Sequence, residues 1–505
     1  MSTATDEARS AEFLALCAEM LDKRRLIVVS NRGPVEYHVT SEGPLQARRG
    51  SGGLVTALST LTRNIDFTWV ASAMGEGDRR ALENSEGASI PSTLPGHRFS
   101  LRYVTTPRRV YHKYYNILCN PLLWFLQHHM WNASYTPNVD HAVHDAWENG
   151  YVTVNRAFAD AVVAEAAQSS EPPYVMVHDY HLYLVPGYVR QELPEATIQH
   201  YLHIPWPGPS YWQLLPSHMC RSICESLCSA DVVGFQTVRD AQSFLATCSL
   251  FLPKAEVDFS GGVVNFNGHK TATHAYPLSI DVEEIRRIAI SPRASEYKQR
   301  LMPLCAEKTI VRVDRAEPNK NIVRGFRAYE HLLERYPELH GKVTFLAFLV
   351  PSRTHIRQYQ RYLDEIQQVA GDINGNYGSS DWQPVHLFLE NNYTQAIAAL
   401  CQYDVLLINA VIDGMNLIAK EGPVVNAKNG VLVLTETVGA YQQLAEGALS
   451  VAPTDVEGTT EALYEALTMS EEERAKRQAV LVEAIEREDL LHWLQQQFQD
   501  IRGVA

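Results

Sequence analysis

The stretch VRVDRAEPNKNIVRGF, residues 311–326, contains the unit that decides the fold. It begins with the apolar and β-branched residues of a core strand, opens into a polar loop and then takes up helical spacing. Arg315 and Lys320 stand in that loop. Two cations that follow a core strand in an acidic chain indicate a local site for an anion.

The same succession of strand and helical segment recurs along the chain in two series. Such alternation is typical of parallel sheets built from βαβ units. It predicts an α/β protein with two Rossmann-like domains that face each other across a cleft. The first series comprises RLIVVSN (25–31), FTWVASA (67–73), PYVMVHD (173–179), TIQHYLHIP (197–205) and DVVGFQT (231–237). The second comprises KTIVRVDR (308–315), KVTFLAFLVP (342–351), PVHLFLE (384–390), DVLLINA (404–410) and GVLVLTE (430–436).

The segment between the two series marks the domain boundary. Residues 256–281, EVDFSGGVVNFNGHKTATHAYPLSID, are typical of a hairpin that leads into a linker. We expect a first domain over 1–282, which binds an acceptor, and a second over 283–485, which binds a nucleotide donor. SEEERAKRQAVLVEAIEREDLLHWLQQQFQDI predicts one long C-terminal helix, of which residues 486–505 pack back on the first domain.

Composition restricts the class of partner. The chain has 505 residues, of which 46% are hydrophobic and 20% charged, as expected for a globular protein of two domains. Its net charge of −14 argues against nucleic acid or an anionic membrane surface as the main partner. A small anionic substrate then requires a local cluster of cations.

The cysteines and the N-terminus predict a cytoplasmic protein. Cys220, Cys224 and Cys228 recur every four residues, which favours a buried stripe on one helix over a metal site. Reduced thiols fit a chain too long to need disulfides. No apolar run has the length of a signal peptide or a membrane span.

In the first series, polar residues follow neighbouring strands. Asp179 ends PYVMVHD, and His203 lies at the end of TIQHYLHIP. The carboxyl ends of parallel strands meet at one sheet edge, so this pair can orient a nucleophile or shuttle a proton. His178 and His181 are interpreted as hydrogen-bonded core residues.

A phosphate site is also indicated near the start of the chain. Arg32 follows the strand RLIVVSN and can hold a phosphate bidentately. The loop RRGSGGL, with Gly50, Gly52 and Gly53, precedes a helical segment and lets backbone N–H groups approach an anion. A flexible surface turn is an equally good interpretation of these glycines.

In the second series, Arg315 and Lys320 stand before a helix and predict a diphosphate site. The alternative is a solvated loop with incidental charge, and Arg353 after the next strand makes that less favourable. We expect Lys320 to be an exposed cation whose loss leaves the fold intact. In LINAVIDGMNLIAKE, Asp413 is predicted to cap the helix, and Glu421, two turns along, to bind ribose hydroxyls.

The ordered motifs resemble the trehalose-6-phosphate synthase family of retaining glycosyltransferases, which have two Rossmann domains of the GT-B type. The resemblance covers nearly the whole chain after the first two dozen residues. The motifs are VVSNR, GGL, YYN-x6-LW in slightly varied form, HDYH, LHIP, DVVGFQT, R-x4-K, PSR, INGNYG, DGMNLIAKE and LVLTE-x-x-GA.

The resemblance implies roles for the matching positions. The acceptor and its phosphate are expected to contact Arg32, Tyr115, Trp124, Asp179 and Arg353. The donor is expected to contact Gly52, Gly53, His203, Arg315, Lys320, Asp413, Gly414, Met415, Asn416, Leu417 and Glu421. The catalytic candidates are Asp179, His203, Arg315 and Lys320. No metal or other cofactor is implied, because Arg and Lys neutralise the leaving phosphate.

The donor loop departs from the family pattern D-R-L-D-Y-x-K-G. Both cations are present, but Ala316, Pro318 and Asn321 replace the Leu, Tyr and Gly. Ile412 replaces a basic residue that usually precedes D-G-M-N. The acceptor-phosphate residues are all present, so we predict the family's phosphorylated acceptor with a changed donor.

One branch of the family, the pseudo-glycosyltransferases of validamycin biosynthesis, combines these acceptor residues with a changed donor loop. The predicted reaction couples GDP-valienol to validamine 7-phosphate through a C–N bond, by a front-face mechanism with retention of configuration. The products are validoxylamine A 7′-phosphate and GDP. The predicted partners are thus a nucleotide-activated cyclitol and a phosphorylated amino-cyclitol, in a protein that can form a homodimer.

Two other hypotheses remain open. One is an ordinary trehalose-6-phosphate synthase that uses a nucleotide-glucose and glucose 6-phosphate. The other is a catalytically silent relative that binds sugar phosphates or a partner subunit.

Overall fold

The computed structural model describes residues 2–39, 45–50, 55, 57–354 and 356–504. These residues form two compact units, each with its own sheet. The first unit contains the chain up to Tyr276 together with the segment from Leu491 onward, and the second is Pro277–Leu490. The sequence placed the corresponding boundaries at 282 and 485.

The first unit is built on a ten-stranded sheet in the order β10-β11-β12-β9-β8-β7-β1-β4-β6-β5. The run from β12 to β6 is parallel, and the antiparallel pairs lie at the two edges. A separate hairpin pairs β2 with β3. The strands are β1 (Leu26–Val29), β2 (Val35–Val39), β3 (Leu45–Arg49), β4 (Phe67–Ser72), β5 (Ile90–Pro91), β6 (Phe99–Val104), β7 (Tyr174–His178), β8 (Thr197–Tyr201), β9 (Val232–Phe235), β10 (Glu256–Asp258), β11 (Val263–Phe266) and β12 (His269–Ala275).

Helices connect these strands and bury both faces of the parallel part, where strands such as β1 and β7 are apolar and buried along their whole length. The helices are Ser2–Met20, Ser59–Asn64, Glu76–Asn84, Arg108–His112, Trp124–Gln127, His141–Ala146, Thr153–Ala166, Val185–Glu192, Pro209–Trp212, Ser217–Leu227, Val238–Phe251 and Leu490–Val504. Lys113–Leu123 and Trp147–Val152 are wider π-helical turns, and Tyr180–Leu182 is a 3₁₀ turn.

The second unit has a six-stranded sheet in the order β15-β14-β13-β16-β17-β18, parallel throughout. The strand order reverses between β13 and β16, where open α/β sheets bind ligands. The strands are β13 (Lys308–Arg315), β14 (Val343–Val350), β15 (Val385–Phe388), β16 (Val405–Ile408), β17 (Val431–Thr435) and β18 (Leu449–Val451).

The helices of the second unit bury the two faces of this sheet, as in the contact of Phe326 with Phe345 at 5.1 Å between ring centroids. They are Val282–Ala289, Pro292–Leu301, Ile322–Arg335, Arg357–Tyr377, Tyr393–Leu400, Ile418–Val425, Tyr441–Leu444, Val456–Thr468 and Glu471–Arg487. Short 3₁₀ turns lie at Met302–Leu304, Pro318–Lys320 and Pro337–Leu339.

Every strand predicted from the two series is present, which confirms the α/β class with parallel sheets. The sequence patterns missed β2, β3, β5, β6 and β18. Of these, β2 and β3 form a partly exposed hairpin, β5 and β18 are short edge strands, and β6 alternates buried with partly exposed residues. The predicted single C-terminal helix is wrong: one helix ends at Arg487 and another begins at Leu490. The interruption falls where the chain passes from the second unit to the first.

The cysteine stripe is buried, as the spacing indicated. Cys220, Cys224 and Cys228 lie on or at the end of the helix Ser217–Leu227. The thiol of Cys228 lies 3.7 Å from that of Cys248. In the ranges of the chain given above, no helix combines the length and the apolar character needed to cross a bilayer.

The C-terminal helix contributes to the core of the first unit. Trp493 is 1% exposed and packs edge-on against Tyr201 at 5.3 Å. We expect Trp493→Ala to lower the free energy of unfolding by about 3–5 kcal/mol, because it leaves a cavity. Gln499→Ala, on the exposed face of the same helix, should change it by less than about 0.5 kcal/mol. Urea denaturation, monitored by circular dichroism, measures both variants. An equal loss of unfolding free energy in the two would contradict this packing.

Candidate active site

Asp179 and His203 follow two neighbouring parallel strands of the first unit. β7 and β8 pair with His178 opposite Tyr201, and the N–H of Asp179 donates to the carbonyl of Tyr201 at 2.8 Å. Asp179 has a φ of 77°, a left-handed conformation uncommon for a residue with a side chain. Such backbone strain concentrates at functional sites, and here it occurs at the sheet edge where ligands bind.

The imidazole of His203 is held neutral. Its Nε2 lies 3.2 Å from Nδ1 of His178, so one nitrogen donates and the other accepts. Burial lowers the pKa of His203 to about 3 and holds that of His178 well below its usual range. A neutral imidazole of this kind can hydrogen-bond a ligand but is a poor proton shuttle at pH 7. His178 is a fully buried residue, as the sequence indicated.

A row of stacked rings lies beside Asp179. Tyr111 stacks on Tyr115 at 5.6 Å, and Tyr115 stacks on His181 at 5.9 Å. Nδ1 of His181 lies 3.8 Å from Oδ2 of Asp179, and its side chain is 13% exposed. The sequence interpreted His181 as a core residue, whereas its side chain is partly exposed next to Asp179. Its place two residues after Asp179 was the signal for this.

Arg32 lies exposed at the end of β1, next to a buried asparagine. Oδ1 of Asn31 accepts hydrogen bonds from Ser72 Oγ at 3.2 Å and from the Tyr114 hydroxyl at 3.1 Å. Ser30 Oγ donates to the carbonyl of Arg32 at 2.6 Å. These bonds fix the backbone of the strand end, and the Arg32 side chain lines a cavity of ≈ 550 Å³.

The predicted ligand contacts of Trp124 and of the glycine-rich loop are not tested by the geometry of this unit. Trp124 is 5% exposed, and its ring stacks on His128 at 3.8 Å and packs against Tyr180 at 5.7 Å. The packing fixes the orientation of the indole, but contact with an acceptor stays a prediction. Gly52 and Gly53 lie outside the described residues.

In the second unit, Lys320 is buried and paired with two carboxylates. Its Nζ lies 2.5 Å from Oδ2 of Asp413 and 3.8 Å from Oδ1 of Asp314. Burial acts to lower the pKa of Lys320, but the two carboxylates outweigh burial and raise it. The prediction of an exposed cation is wrong, since 10% of the side chain is exposed. Loss of this ammonium would remove the common cation of Asp314, which is buried, and Asp413, whose side chain is 15% exposed.

Glu317 joins the other two cations of this edge. Its Oε1 lies 3.3 Å from Nη1 of Arg315 and 3.1 Å from Nη1 of Arg353, and it accepts a 2.8 Å hydrogen bond from Ser352. Burial acts to raise the pKa of Glu317, but Arg315 and Arg353 outweigh burial and lower it. Arg315 is 48% exposed, so its guanidinium can reach a ligand. Sequence patterns did not single out Glu317, because its partner Arg353 comes from the next strand.

The loop after β16 contributes Asp413 and Asn416. Nδ2 of Asn416 donates to Oδ2 of Asp413 at 3.0 Å, and Oδ1 of Asn416 accepts from the N–H of Ala419 at 3.3 Å. Asp413 was predicted to cap the helix Ile418–Val425. That prediction is wrong, because the Asp413 carboxylate pairs with Lys320 while Asn416 bonds the helix N-terminus.

The backbone of this loop is fixed by a close approach of two segments. A Cβ on Gly439 would lie 1.8 Å from the carbonyl oxygen of Gly414, so glycine is required there. The N–H of Gly439 donates to the carbonyl of Asp413 at 3.0 Å. Met415 is 4% exposed, and Leu417 directly precedes the helix.

Glu421 lies in the first turn of the helix Ile418–Val425, closer to the helix start than predicted, and is 6% exposed. Burial raises its pKa to about 7, although a hydrogen bond with the Tyr393 hydroxyl acts in the opposite direction. Among the residues that the structure describes, its Oε2 has no hydrogen-bond partner. A buried acceptor of this kind suits a ligand hydroxyl.

The cluster at this sheet edge holds one more cation than carboxylates. The cations are Arg312, Arg315, Lys320 and Arg353, and the carboxylates are Asp314, Glu317 and Asp413. A diphosphate that enters competes with carboxylates for cations already oriented. The site lies at the β13–β16 switch point, which is suited to electrostatic binding of a nucleotide.

The family model of glycosyltransferase family 20 matches residues 24–503. This chain belongs to glycosyltransferase family 20. It is 32% identical over 477 residues to the Dictyostelium discoideum protein "Alpha,alpha-trehalose-phosphate synthase [UDP-forming] A", covering 93% of this chain and 61% of that one. A "Trehalose-6-phosphate synthase" from Citrobacter koseri is 31% identical, covering 95% and 96%. The chain thus spans less than two thirds of some relatives and nearly the whole of others.

Solved structures of this family have the same fold. The E. coli structure described as "Trehalose-6-phosphate from E. coli bound with UDP-2-fluoro glucose" has a TM-score of 0.81 and 28% identity, covering 95% of this chain and 99% of that one. A Burkholderia xenovorans synthase in complex with glucose-6-phosphate has a TM-score of 0.81 and 27% identity, covering 95% and 100%. These likenesses confirm the family resemblance seen in the motifs.

The titration of Glu421 is predicted to affect stability. A carboxyl whose pKa rises from 4.5 to about 7 on folding stabilises the fold below pH 4.5, and this stabilisation is lost as pH rises to about 7. Glu421→Gln removes that loss. Between pH 4.5 and 7.5, the free energy of unfolding of the variant should therefore rise by about 3 kcal/mol relative to that of the parent. Parallel pH–stability curves in urea denaturation would contradict the raised pKa.

Proposed function

We propose that the protein is a retaining glycosyltransferase that transfers glucose from a nucleoside diphosphate glucose to glucose 6-phosphate and releases the nucleoside diphosphate. The observation that carries this proposal is the arrangement of Arg315, Lys320 and Arg353 at the switch point of the second sheet, backed by buried carboxylates. The names of the relatives, which are trehalose-phosphate synthases, support the glucose donor and acceptor. UDP is the nucleotide that the name of the Dictyostelium discoideum relative gives.

The packing of the donor loop supports this assignment over a changed donor. Ala316 is 1% exposed, and its N–H donates to the carbonyl of Val350 at 2.8 Å. Asn321 has a φ of 57°, which asparagine tolerates better than most residues, so it can stand where the family has glycine. The substitutions at Ala316 and Asn321 fit the core and the backbone and do not require another ligand, whereas nothing in the structure explains Pro318.

The proposed donor site acts on the leaving group. Transfer breaks the bond between the anomeric carbon and the diphosphate oxygen, and forms one from that carbon to the acceptor hydroxyl oxygen. Arg315 and Lys320 stabilise the negative charge that develops on the diphosphate. The departing phosphate oxygen takes the hydroxyl proton as the acceptor attacks the same face, which gives retention. Because His203 is neutral, it contributes a hydrogen bond to this proposed chemistry.

The proposed acceptor site is the sheet edge of the first unit. Arg32 is expected to bind the phosphate of the acceptor. Asp179, set by its left-handed backbone next to His181, is expected to accept hydrogen bonds from sugar hydroxyls. The cytoplasm remains the expected compartment.

A second candidate is the coupling of GDP-valienol to validamine 7-phosphate. This candidate is favoured by Ile412, which is 7% exposed. It places a buried apolar side chain where the family usually has a basic residue. The apolar side chain alters the charge next to Asp413, which is expected to contact the transferred ring. This reaction uses the same cations and the same leaving group, so substrate preference separates the two candidates.

A grid of donors and acceptors tests the function. We expect the fastest turnover with UDP-glucose and glucose 6-phosphate among combinations of UDP-glucose, GDP-glucose, ADP-glucose and GDP-valienol with glucose 6-phosphate and validamine 7-phosphate. The phosphorylated disaccharide and the released nucleotide are measured by mass spectrometry. Faster turnover of GDP-valienol with validamine 7-phosphate assigns the second candidate, and no product from any pair refutes both.

Two variants separate catalysis from stability in the donor loop. Arg315→Met should lower kcat about 100-fold or more with little change in melting temperature, because its side chain is 48% exposed. Lys320→Met should lower kcat and also cost about 3–5 kcal/mol of stability, because it removes the buried cation that pairs with both Asp314 and Asp413. Calorimetry and initial rates measure both effects. A Lys320→Met protein as stable as the parent contradicts the buried ion pairs.

A further inference from the structure

Arg312 is a fully buried cation inside β13 to which the proposed chemistry assigns no role. Its Nη2 donates to Oδ2 of Asp314 at 3.0 Å, and its Nε donates to the same oxygen at 3.1 Å. Nη2 also lies 3.0 Å from the carbonyl oxygen of Lys320 and 3.0 Å from Oδ1 of Asn409. One guanidinium therefore bonds the main chain of Lys320 and the carboxylate that faces the Lys320 ammonium.

Asn409 extends this network to the helix that follows the loop. Its Nδ2 donates to the carbonyl of Asn321 at 3.1 Å, while Nδ2 of Asn321 donates to the carbonyl of Asn409 at 2.8 Å and to that of Pro453 at 2.6 Å. Asn321 is the left-handed residue that precedes the helix Ile322–Arg335. Loop, helix start and β16 are thus joined by buried hydrogen bonds that include Arg312.

Gly325 provides the space that Arg312 occupies. A Cβ at this position would lie 2.5 Å from Nη1 of Arg312 and 3.2 Å from Oδ1 of Asn409. Glycine inside a helix is less favourable than alanine, so its presence in Ile322–Arg335 has a packing reason. Arg312, Asn409, Asn321 and Gly325 form one complementary set beneath the loop.

We propose that Arg312 is a positioning residue for the diphosphate-binding loop. From beneath, it fixes the backbone of Lys320 and orients Asp314 toward the Lys320 ammonium, so that the loop is arranged before a nucleotide arrives. The ligand class is a nucleoside diphosphate. This inference rests on the proposed function in so far as it takes residues 314–320 as the diphosphate site.

The proposal predicts that a methyl group at Gly325 weakens nucleotide binding. Gly325→Ala improves the helix propensity but displaces the Arg312 guanidinium, so the Kd for UDP should rise about tenfold or more. Gly371→Ala is the matched control, because Gly371 lies inside the helix Arg357–Tyr377 with no heavy atom within 4 Å of an added Cβ. Isothermal titration with UDP and with GDP measures both variants. Equal Kd values for the two variants overturn the proposal.

A second pair of variants distinguishes positioning from general stability. Arg312→Met is compared with Arg474→Met, since Arg474 is also buried, pairs with Asp404 at 3.3 Å and bonds the carbonyls of Lys428 and Asn429. Both variants should lower the melting temperature. Arg312→Met alone should raise the Kd for UDP about tenfold or more, and Arg312→Lys should recover part of that loss. Equal losses of UDP affinity in the two Met variants overturn the proposal.

The binding measurements also separate this inference from the proposed function. If the parent protein binds UDP or GDP, the ratio of Kd values decides the role of Arg312 whether or not glucose is transferred. If the parent makes no disaccharide phosphate but the Gly325 and Arg312 variants lose nucleotide affinity, the proposed function fails and the inference stands. Absence of binding of either nucleotide to the parent overturns the inference.

Discussion

A buried charge is stable only where it is paired, and this constraint organises the ligand-binding edge of the second unit. Lys320 lies between Asp314, at the end of β13, and Asp413, in the loop after β16. These carboxylates are distant in sequence, so their common cation holds two strand ends together. Each cation of this cluster is already held by a carboxylate. A diphosphate can therefore take the place of the carboxylate without a rearrangement of the loop 314–320.

The first unit uses burial for a different purpose. His203 and His178 share a hydrogen bond in a region that keeps both imidazoles neutral, and the carboxylate at this edge is Asp179. Two neutral imidazoles and one carboxylate next to stacked tyrosines suit a sugar ring, which offers hydroxyl groups and apolar faces.

The strands were predictable from the sequence because parallel strands buried on both faces are continuous apolar runs. The hairpin of β2 and β3 was missed because it is polar and partly exposed. The break between the last two helices, at 488–489, was missed because the helical periodicity of the sequence continues through it. The sequence also located Arg315, Lys320 and Asp179 at strand ends. It did not reveal the burial of Lys320, because its partner Asp413 lies 93 residues away.

A crystal structure with UDP-glucose shows whether the loop 314–320 binds the diphosphate of the donor. We expect phosphate oxygens about 3 Å from the Arg315 guanidinium and from Lys320 Nζ, with the ribose hydroxyls at Glu421. Phosphates bound elsewhere, with the Lys320–Asp413 pair unchanged and Arg315 still on Glu317, would contradict it.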